Sequence, residues 1–151
     1  MKKIKIYCLA ILTMFAGAIT SCDIGPTDAL LDIIQEDKGY IPVIANFTLS
    51  APVPTATTPG TECRFDLRYW SEGEIDKIRF WVKVGDAAAV QVQESDYQPA
   101  FSNVTKTDSL LFNYTIPNDV AAGTVIGVEA RVTNQNLPDY AVTRIVNVTV
   151  Q

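Results

Sequence analysis

Histidine is absent from the 151 residues of this chain, and cysteine occurs only three times. Catalytic Ser-His and Cys-His pairs, histidine general bases and histidine-rich metal sites are therefore excluded. No stretch matches a calcium loop or a Gly-rich phosphate cradle, so no metal or cofactor is expected. Glycosidases use a pair of carboxylates, and five scattered aspartates are candidates for such a pair. Each of them is more simply a solvated residue of a strand or turn. They are Asp66, Asp76, Asp86, Asp96 and Asp108. The sequence predicts a protein that is not an enzyme.

The N-terminus combines a basic start with a long uncharged run. Lys2, Lys3 and Lys5 precede the segment from Ile6 to Ile19, whose 14 residues carry no charge. A helix needs about 20 apolar residues to span the hydrocarbon of a bilayer. The pattern therefore predicts a secretory signal peptide over residues 1–21 and not a permanent transmembrane segment.

The end of this run, Ile19-Thr20-Ser21-Cys22, resembles the lipobox of bacterial lipoprotein precursors. The resemblance implies cleavage before Cys22, a diacylglyceryl group on its thiol and an acylated amine such as a palmitoyl amide. Each buried methylene of an acyl chain contributes about 0.8 kcal/mol to membrane binding, so an anchor with two or more chains is stable. The alternative is an ordinary secretory signal with an incidental cysteine.

The residues after Cys22 form an acidic segment over 22–39, interpreted as a tether. Its acidic start is similar to the export signals of surface lipoproteins in the Bacteroidetes. The resemblance implies a cell-envelope protein anchored in the outer membrane by lipid and exposed at the surface. The alternatives are an anchor in the inner membrane and an anchor in the inner leaflet.

The mature chain predicted in this way is acidic and has one thiol. Removal of residues 1–21 takes away three lysines and no acid, which leaves nine basic against 17 acidic groups. That balance repels phosphate backbones, so nucleic acid is not an expected partner. Cys8 leaves with the signal and Cys22 carries lipid, so Cys63 has no disulfide partner. Its strand parity predicts a buried, inert thiol, with a reactive thiol as the alternative.

From Tyr40 onward the hydrophobic period is two, with turn residues every eight to twelve positions. This pattern predicts one all-β domain over residues 40–151, a seven-stranded antiparallel β-sandwich. A short strand is expected over 90–93, a connection over 94–107, and a bulge near Ile145-Val146 where the parity changes. The inward positions are expected to be Val43, Ala45, Phe47 and Leu49; Cys63, Phe65, Leu67 and Tyr69; Ile78, Phe80, Val82 and Val84; Leu110, Phe112, Tyr114 and Ile116; and Ile126, Val128, Ala130 and Val132.

Seven strands at this spacing resemble immunoglobulin-like and fibronectin type III-like modules. The resemblance covers about 110 residues, and two marks of true immunoglobulin domains are missing: a cysteine pair, and a core tryptophan in place of the outward Trp81. Together with the lipobox, the chain looks like the small immunoglobulin-like lipoproteins of the Bacteroidetes. Many of those accompany glycan-uptake systems.

Trp81 is the candidate ligand-binding residue. Strand parity turns its indole outward between Arg79 and Lys83, and it places Glu129 and Arg131 on a neighbouring strand. An apolar ring with a polar rim is suited to stacking on a sugar. The competing interpretation is that Lys and Arg stems, or the tether, cover the ring as packing. Trp70, Tyr97 and Phe101 are candidates for loops on the same side.

Two functions remain open at this stage. The first is a membrane-anchored binding module for carbohydrate. The second is a structural lipoprotein that contacts a protein partner through a sheet edge, such as the Val-rich last strand ending at Gln151. Separately, Asp108-Ser109-Leu110 is similar to the acceptor of Bacteroidetes protein O-glycosylation, which makes Ser109 a candidate modification site.

Overall fold

A computed structural model describes residues 40–151 of the chain. The predicted signal peptide over 1–21 and tether over 22–39, with Cys22, lie outside the described residues. The described part contains seven strands and one short 3₁₀ turn at Pro54–Ala56. The strands are β1 (Val43–Ala51), β2 (Glu62–Trp70), β3 (Ile75–Val84), β4 (Val90–Asp96), β5 (Asp108–Thr115), β6 (Val125–Asn134) and β7 (Leu137–Thr149). The predicted all-β class and strand count are confirmed.

The strands form two antiparallel sheets, one in the order β1-β2-β5 and the other in the order β4-β3-β6-β7. Each sheet turns one face toward the other, since alternate residues of a strand point to opposite sides. Ile78, Phe80 and Val82 of β3 are buried in this way. A helix long and apolar enough to cross a bilayer does not occur in residues 40–151.

Four phenylalanines connect the two sheets at the centre of the core. Phe80 of β3 stacks on Phe112 of β5 with ring centroids 4.3 Å apart and planes 5° from parallel. The ring centroid of Phe65 lies 5.7 Å from that of Phe47 and 6.0 Å from that of Phe112. Such contacts stabilise the fold beyond the area they bury. Cys63 is also buried, and its burial raises the pKa of the thiol, as expected for an inert residue.

The predicted inward set is wrong at the start of β1. Val43 and Ala45 are exposed, whereas Ile44 and Phe47 are buried. The register against β2 shifts between Ile44 and Asn46. A bulge adds one residue to a strand and so reverses the alternation on one side of it.

The predictions for β4 and β7 also need correction. β4 extends to Asp96, beyond the predicted end at Gln93. β7 has no bulge at Ile145-Val146, because its pairing with β6 runs without interruption from Val142 to Thr149. The irregularity lies between Val132 and Asn134 on β6, next to the Gln135–Asn136 hairpin turn. Ala141, Thr143 and Ile145 consequently face solvent along the whole strand.

The two ends of the sandwich differ in what they carry. We call the end with Tyr40, the 71–74 turn, the 97–107 connection and the 135–136 turn the entry end, because Tyr40, the first described residue, leads into β1 there. The far end carries the 52–61 loop, the 85–89 turn, the 116–124 crossing and Gln151.

Candidate functional site

Trp81 lies on the outer face of the β4-β3-β6-β7 sheet. Its neighbours Phe80 and Val82 on β3 are buried, and the indole between them is partly buried on the opposite side of the strand. Glu129 of β6 is its cross-strand partner. The strand alternation therefore places the ring over the outer surface of β6.

Arg131 covers one side of this ring. Its guanidinium carbon lies 4.4 Å from the centroid of the indole, within the range of a cation–π contact. The same guanidinium donates two hydrogen bonds to Glu129, from Nε at 2.8 Å and from the terminal amine at 3.2 Å. A planar guanidinium held at both Glu129 oxygens is fixed in orientation. The Arg131–Glu129 ion pair therefore lies over one face of the indole.

A groove of about 170 Å³ lies beside Trp81 toward the far end. Its lining comprises Trp81, Lys83, Ala89, Gly127, Glu129, Ile145 and Asn147. Gly127 pairs with Lys83, and Arg131 pairs with Arg79, so the two lie on either side of the Trp81–Glu129 pair. The groove and Arg131 therefore flank the indole from opposite directions.

Gly127 creates the space. A Cβ built on this residue would lie 3.4 Å from Oδ1 of Asn147 and 3.9 Å from Cγ2 of Ile145. These are ordinary contact distances, so a Cβ fits at this position without distorting the backbone. A glycine inside a strand weakens it and often marks a place where another group approaches closely.

The other predicted cations have different roles. Arg79 donates from Nε to Glu94 at 2.8 Å, and Lys77 donates to the same carboxylate at 2.7 Å. These hydrogen bonds lower the pKa of Glu94 to about 2. Lys83 forms no salt bridge within residues 40–151 and lines the groove. The structure therefore brings Trp81, Lys83 and Glu129 to one groove. It places Arg131 over the indole ring and pairs Arg79 with Glu94 of β4.

The groove was not predicted from the sequence, because it depends on the absence of a side chain at Gly127. Gly127, Ile145 and Asn147 come from two strands whose register was not predicted. One signal was available, since Gly127 interrupts an otherwise regular alternating strand from Val125 to Val132.

The remaining candidates lie elsewhere. Trp70 and Phe101 are exposed at the entry end, away from Trp81. Tyr97 packs edge-on against Tyr69, with centroids 6.5 Å apart, and donates its hydroxyl to Asp108 at 3.3 Å. Ser109 is partly buried on β5 and pairs with Arg68 of β2.

Two of the aspartates considered as catalytic candidates, Asp66 and Asp108, form contacts that hold the fold together. Asp108 accepts from the amide of Ala100 at 2.8 Å as well as from Tyr97, which holds the 97–107 connection against β5. Asp66 pairs with Arg68 at 2.9 Å. Within residues 40–151 there is no group of three or more metal-ligating side chains.

In comparisons with known proteins, no family model, curated protein or solved structure matches the chain.

Proposed function

We propose that the chain is a non-enzymatic lipoprotein that presents an immunoglobulin-like binding module outside the cytoplasm, anchored in the outer membrane through Cys22. The strand order supports the domain assignment. In constant immunoglobulin domains the fourth strand joins the first sheet, whereas here β4 pairs with β3 in the second. This arrangement is closer to the fibronectin type III-like modules that the strand spacing resembles.

The proposed ligand is a carbohydrate, bound in the groove beside Trp81. The observation that carries this proposal is an indole that contacts Arg131 and also lines a groove beside Gly127. The groove is small, as suits one sugar ring. Sugars bind by stacking on aromatic faces, with hydrogen bonds to polar groups around the rim. Lys83, Glu129 and Asn147 supply donors and acceptors around it.

Filling the groove tests the proposal directly. We expect Gly127→Val to abolish binding to a glycan array, because the added methyl groups occupy the space beside the indole. The variant should keep or raise the melting temperature, since valine favours strands and glycine inside a strand costs roughly 0.5–1 kcal/mol. Thermal unfolding and the array are measured on the same preparation.

Asn113→Val is the matched control, because Asn113 is exposed on β5 of the other sheet. It adds the same kind of apolar surface and should leave glycan binding unchanged. Glycan binding that survives Gly127→Val would refute the groove as the site. Trp81→Ala is a less selective test, since the partly buried indole contributes packing as well as a binding surface.

A protein partner is the second candidate function, and the surface between β1 and β7 favours it. A groove of about 470 Å³ there is lined by residues including Phe47, Leu49, Val146 and Val148. β1 contains no charged residue, so the irregular register near Ile44 and Leu49 is what protects its edge, whereas exposed sheet edges usually also carry charges. The last residues of β7 are already covered, because Thr57 accepts from the Gln151 amide at 2.9 Å and donates to the Thr149 carbonyl at 2.6 Å. Strand addition would therefore use the part of β7 before Asn147.

An edge variant separates the two candidates. Thr143→Lys places a charge on the exposed middle of β7 and should weaken strand addition by a protein. Thr143 is not among the residues that line the Trp81 groove, so glycan binding should be unchanged. Crosslinking in whole cells would report the loss of a protein partner.

The anchor and the modification are tested by intact mass. We expect the native mature protein to begin at lipidated Cys22, and a further mass of sugar would assign glycosylation to Ser109 if Ser109→Ala removed it. Protease treatment of whole cells should degrade the domain if it faces the medium.

A further inference from the structure

The exposed apolar side chains of residues 40–151 are unevenly distributed. The four exposed aromatic residues, Tyr40, Trp70, Phe101 and Tyr140, all lie at or next to the entry end. Val104 of the 97–107 connection is 92% exposed, and Ile41 is 61% exposed. The far end has the aliphatic Val53, Val90 and Val125 and no exposed large aromatic side chain among the described residues.

The entry end is also where the chain is held as it reaches the domain. The side-chain amide of the buried Asn134 donates to the carbonyl of Tyr40 and, at 2.7 Å, to the hydroxyl of Ser71. These bonds fix residue 40 against β6 and the 71–74 turn. Whatever precedes residue 40 therefore leaves from the end that carries the aromatic residues.

We propose that the entry end rests on the bilayer to which Cys22 is anchored, with Trp70, Phe101 and Val104 in its interfacial region. The inference rests on the lipid anchor of the proposed function. The 18 residues from Cys22 to residue 39 span at most about 65 Å when fully extended, so the lipid keeps residue 40 within that distance of the membrane. Tethering converts a weak contact into an intramolecular one with a high effective concentration.

The chemistry of the entry end fits a neutral lipid surface. Tryptophan and tyrosine favour the boundary between hydrocarbon and water, because their rings are apolar and carry a polar atom. Glu72 and Glu74 at the same end would be repelled by anionic headgroups, so the contact is apolar and not driven by charge. In this orientation the Trp81 groove lies on the side of the domain and stays open to ligand.

The two tryptophans of the chain allow a direct test, since Trp70 is at the entry end and Trp81 is on the sheet face. The natively lipidated protein is reconstituted in phosphatidylcholine and phosphatidylethanolamine vesicles with brominated acyl chains, which quench a nearby indole. In a Trp81→Phe variant, where Trp70 alone emits, we expect loss of most of the fluorescence. In a Trp70→Phe variant, where Trp81 alone emits, we expect little loss.

Paired substitutions control for general adhesion of the domain. Phe101→Ser with Val104→Ser should restore the emission of Trp70, whereas Val53→Ser with Val90→Ser at the far end should not. All four side chains are exposed, so neither pair should change the melting temperature. Unquenched Trp70 in a lipidated protein, or stronger quenching of Trp81 than of Trp70, overturns the orientation and leaves the glycan site unaffected. A mature chain without lipid refutes the anchor and this inference together.

Discussion

Glu94 connects β4 to β3 through one carboxylate that accepts from two cations, Lys77 at 2.7 Å and Arg79 at 2.8 Å. These hydrogen bonds lower the pKa of Glu94 from 4.5 to about 2. A carboxylate with a depressed folded pKa stabilises the protein above its unfolded pKa, and that stabilisation is lost as the pH falls toward the folded pKa. Glu94→Gln should therefore lower the melting temperature slightly at pH 7, and the difference from wild type should shrink as the pH falls from 4.5 toward 2.

Melting temperatures of the wild type and Glu94→Gln between pH 7 and pH 2 check this expectation. The size of the difference should be small, because the side chain is partly exposed and surface ion pairs contribute little. Glu62→Gln is the control, since Glu62 forms no salt bridge within residues 40–151. A difference that grew toward low pH would contradict the role assigned to Glu94.

At the scale of single residues, the sequence predicted which side chains face outward on β3 and which strand neighbours them. It could not predict how those side chains pair. Arg131 has two possible anionic partners on the sheet face, Glu94 and Glu129, and the choice depends on register and rotamers that alternation does not specify. The groove was missed for a related reason, since its position is set by the register of β6 against β7 around Gly127.

At the scale of elements, Asn134 joins three parts of the entry end. Its amide reaches Tyr40 and Ser71, and the close approach requires a small residue at position 73, where a Cβ would lie 3.0 Å from the Asn134 amide nitrogen. Asn134→Ala leaves these partners without their donor, at a cost of about 1–3 kcal/mol. We expect the melting temperature to fall by several degrees.

Asn136→Ala provides the comparison for this prediction. Asn136 is exposed in the turn that follows β6, so its truncation should change the melting temperature little. Equal effects of the two substitutions would show that the Asn134 hydrogen bonds do not stabilise the entry end. Amide hydrogen exchange of residues 71–74 should increase in Asn134→Ala alone.

The error in the inward set of β1 comes from its register. β1 contains a shift in register, and a shift of one residue moves every following side chain to the other face. In β7 the parity does not change, because Val142, Val146 and Val148 face inward along an uninterrupted pairing with β6, and the apolar Ile145 simply lies on the exposed face. The inward faces of β2, β3 and β6 were predicted correctly, because the register shifts of β3 against β6 and of β6 against β7 lie near the strand ends and leave the central alternation intact.

At the scale of the whole molecule, the two-sheet architecture follows from strand spacing and alternation, whereas the order of strands within each sheet was not predicted. That order decides that β6 lies between β3 and β7 and so places Gly127 next to Trp81. The site therefore depends on topology that only long-range pairing determines.

Cys63 offers a measure of the stability of the whole domain, because it is 1% exposed on β2 between the sheets and no disulfide partner accompanies it in residues 40–151. Its burial raises the pKa of the thiol, and the thiolate is the reactive form.

We expect the native thiol of Cys63 to be unreactive toward a thiol-specific reagent until the domain unfolds. In the proposed mature chain, in which Cys22 carries lipid, Cys63 is the one thiol to label. The denaturant dependence of labelling should then coincide with the unfolding transition measured by circular dichroism, as for a two-state domain. Labelling at denaturant concentrations well below that transition would show that β2 opens locally and that the core does not unfold as one unit.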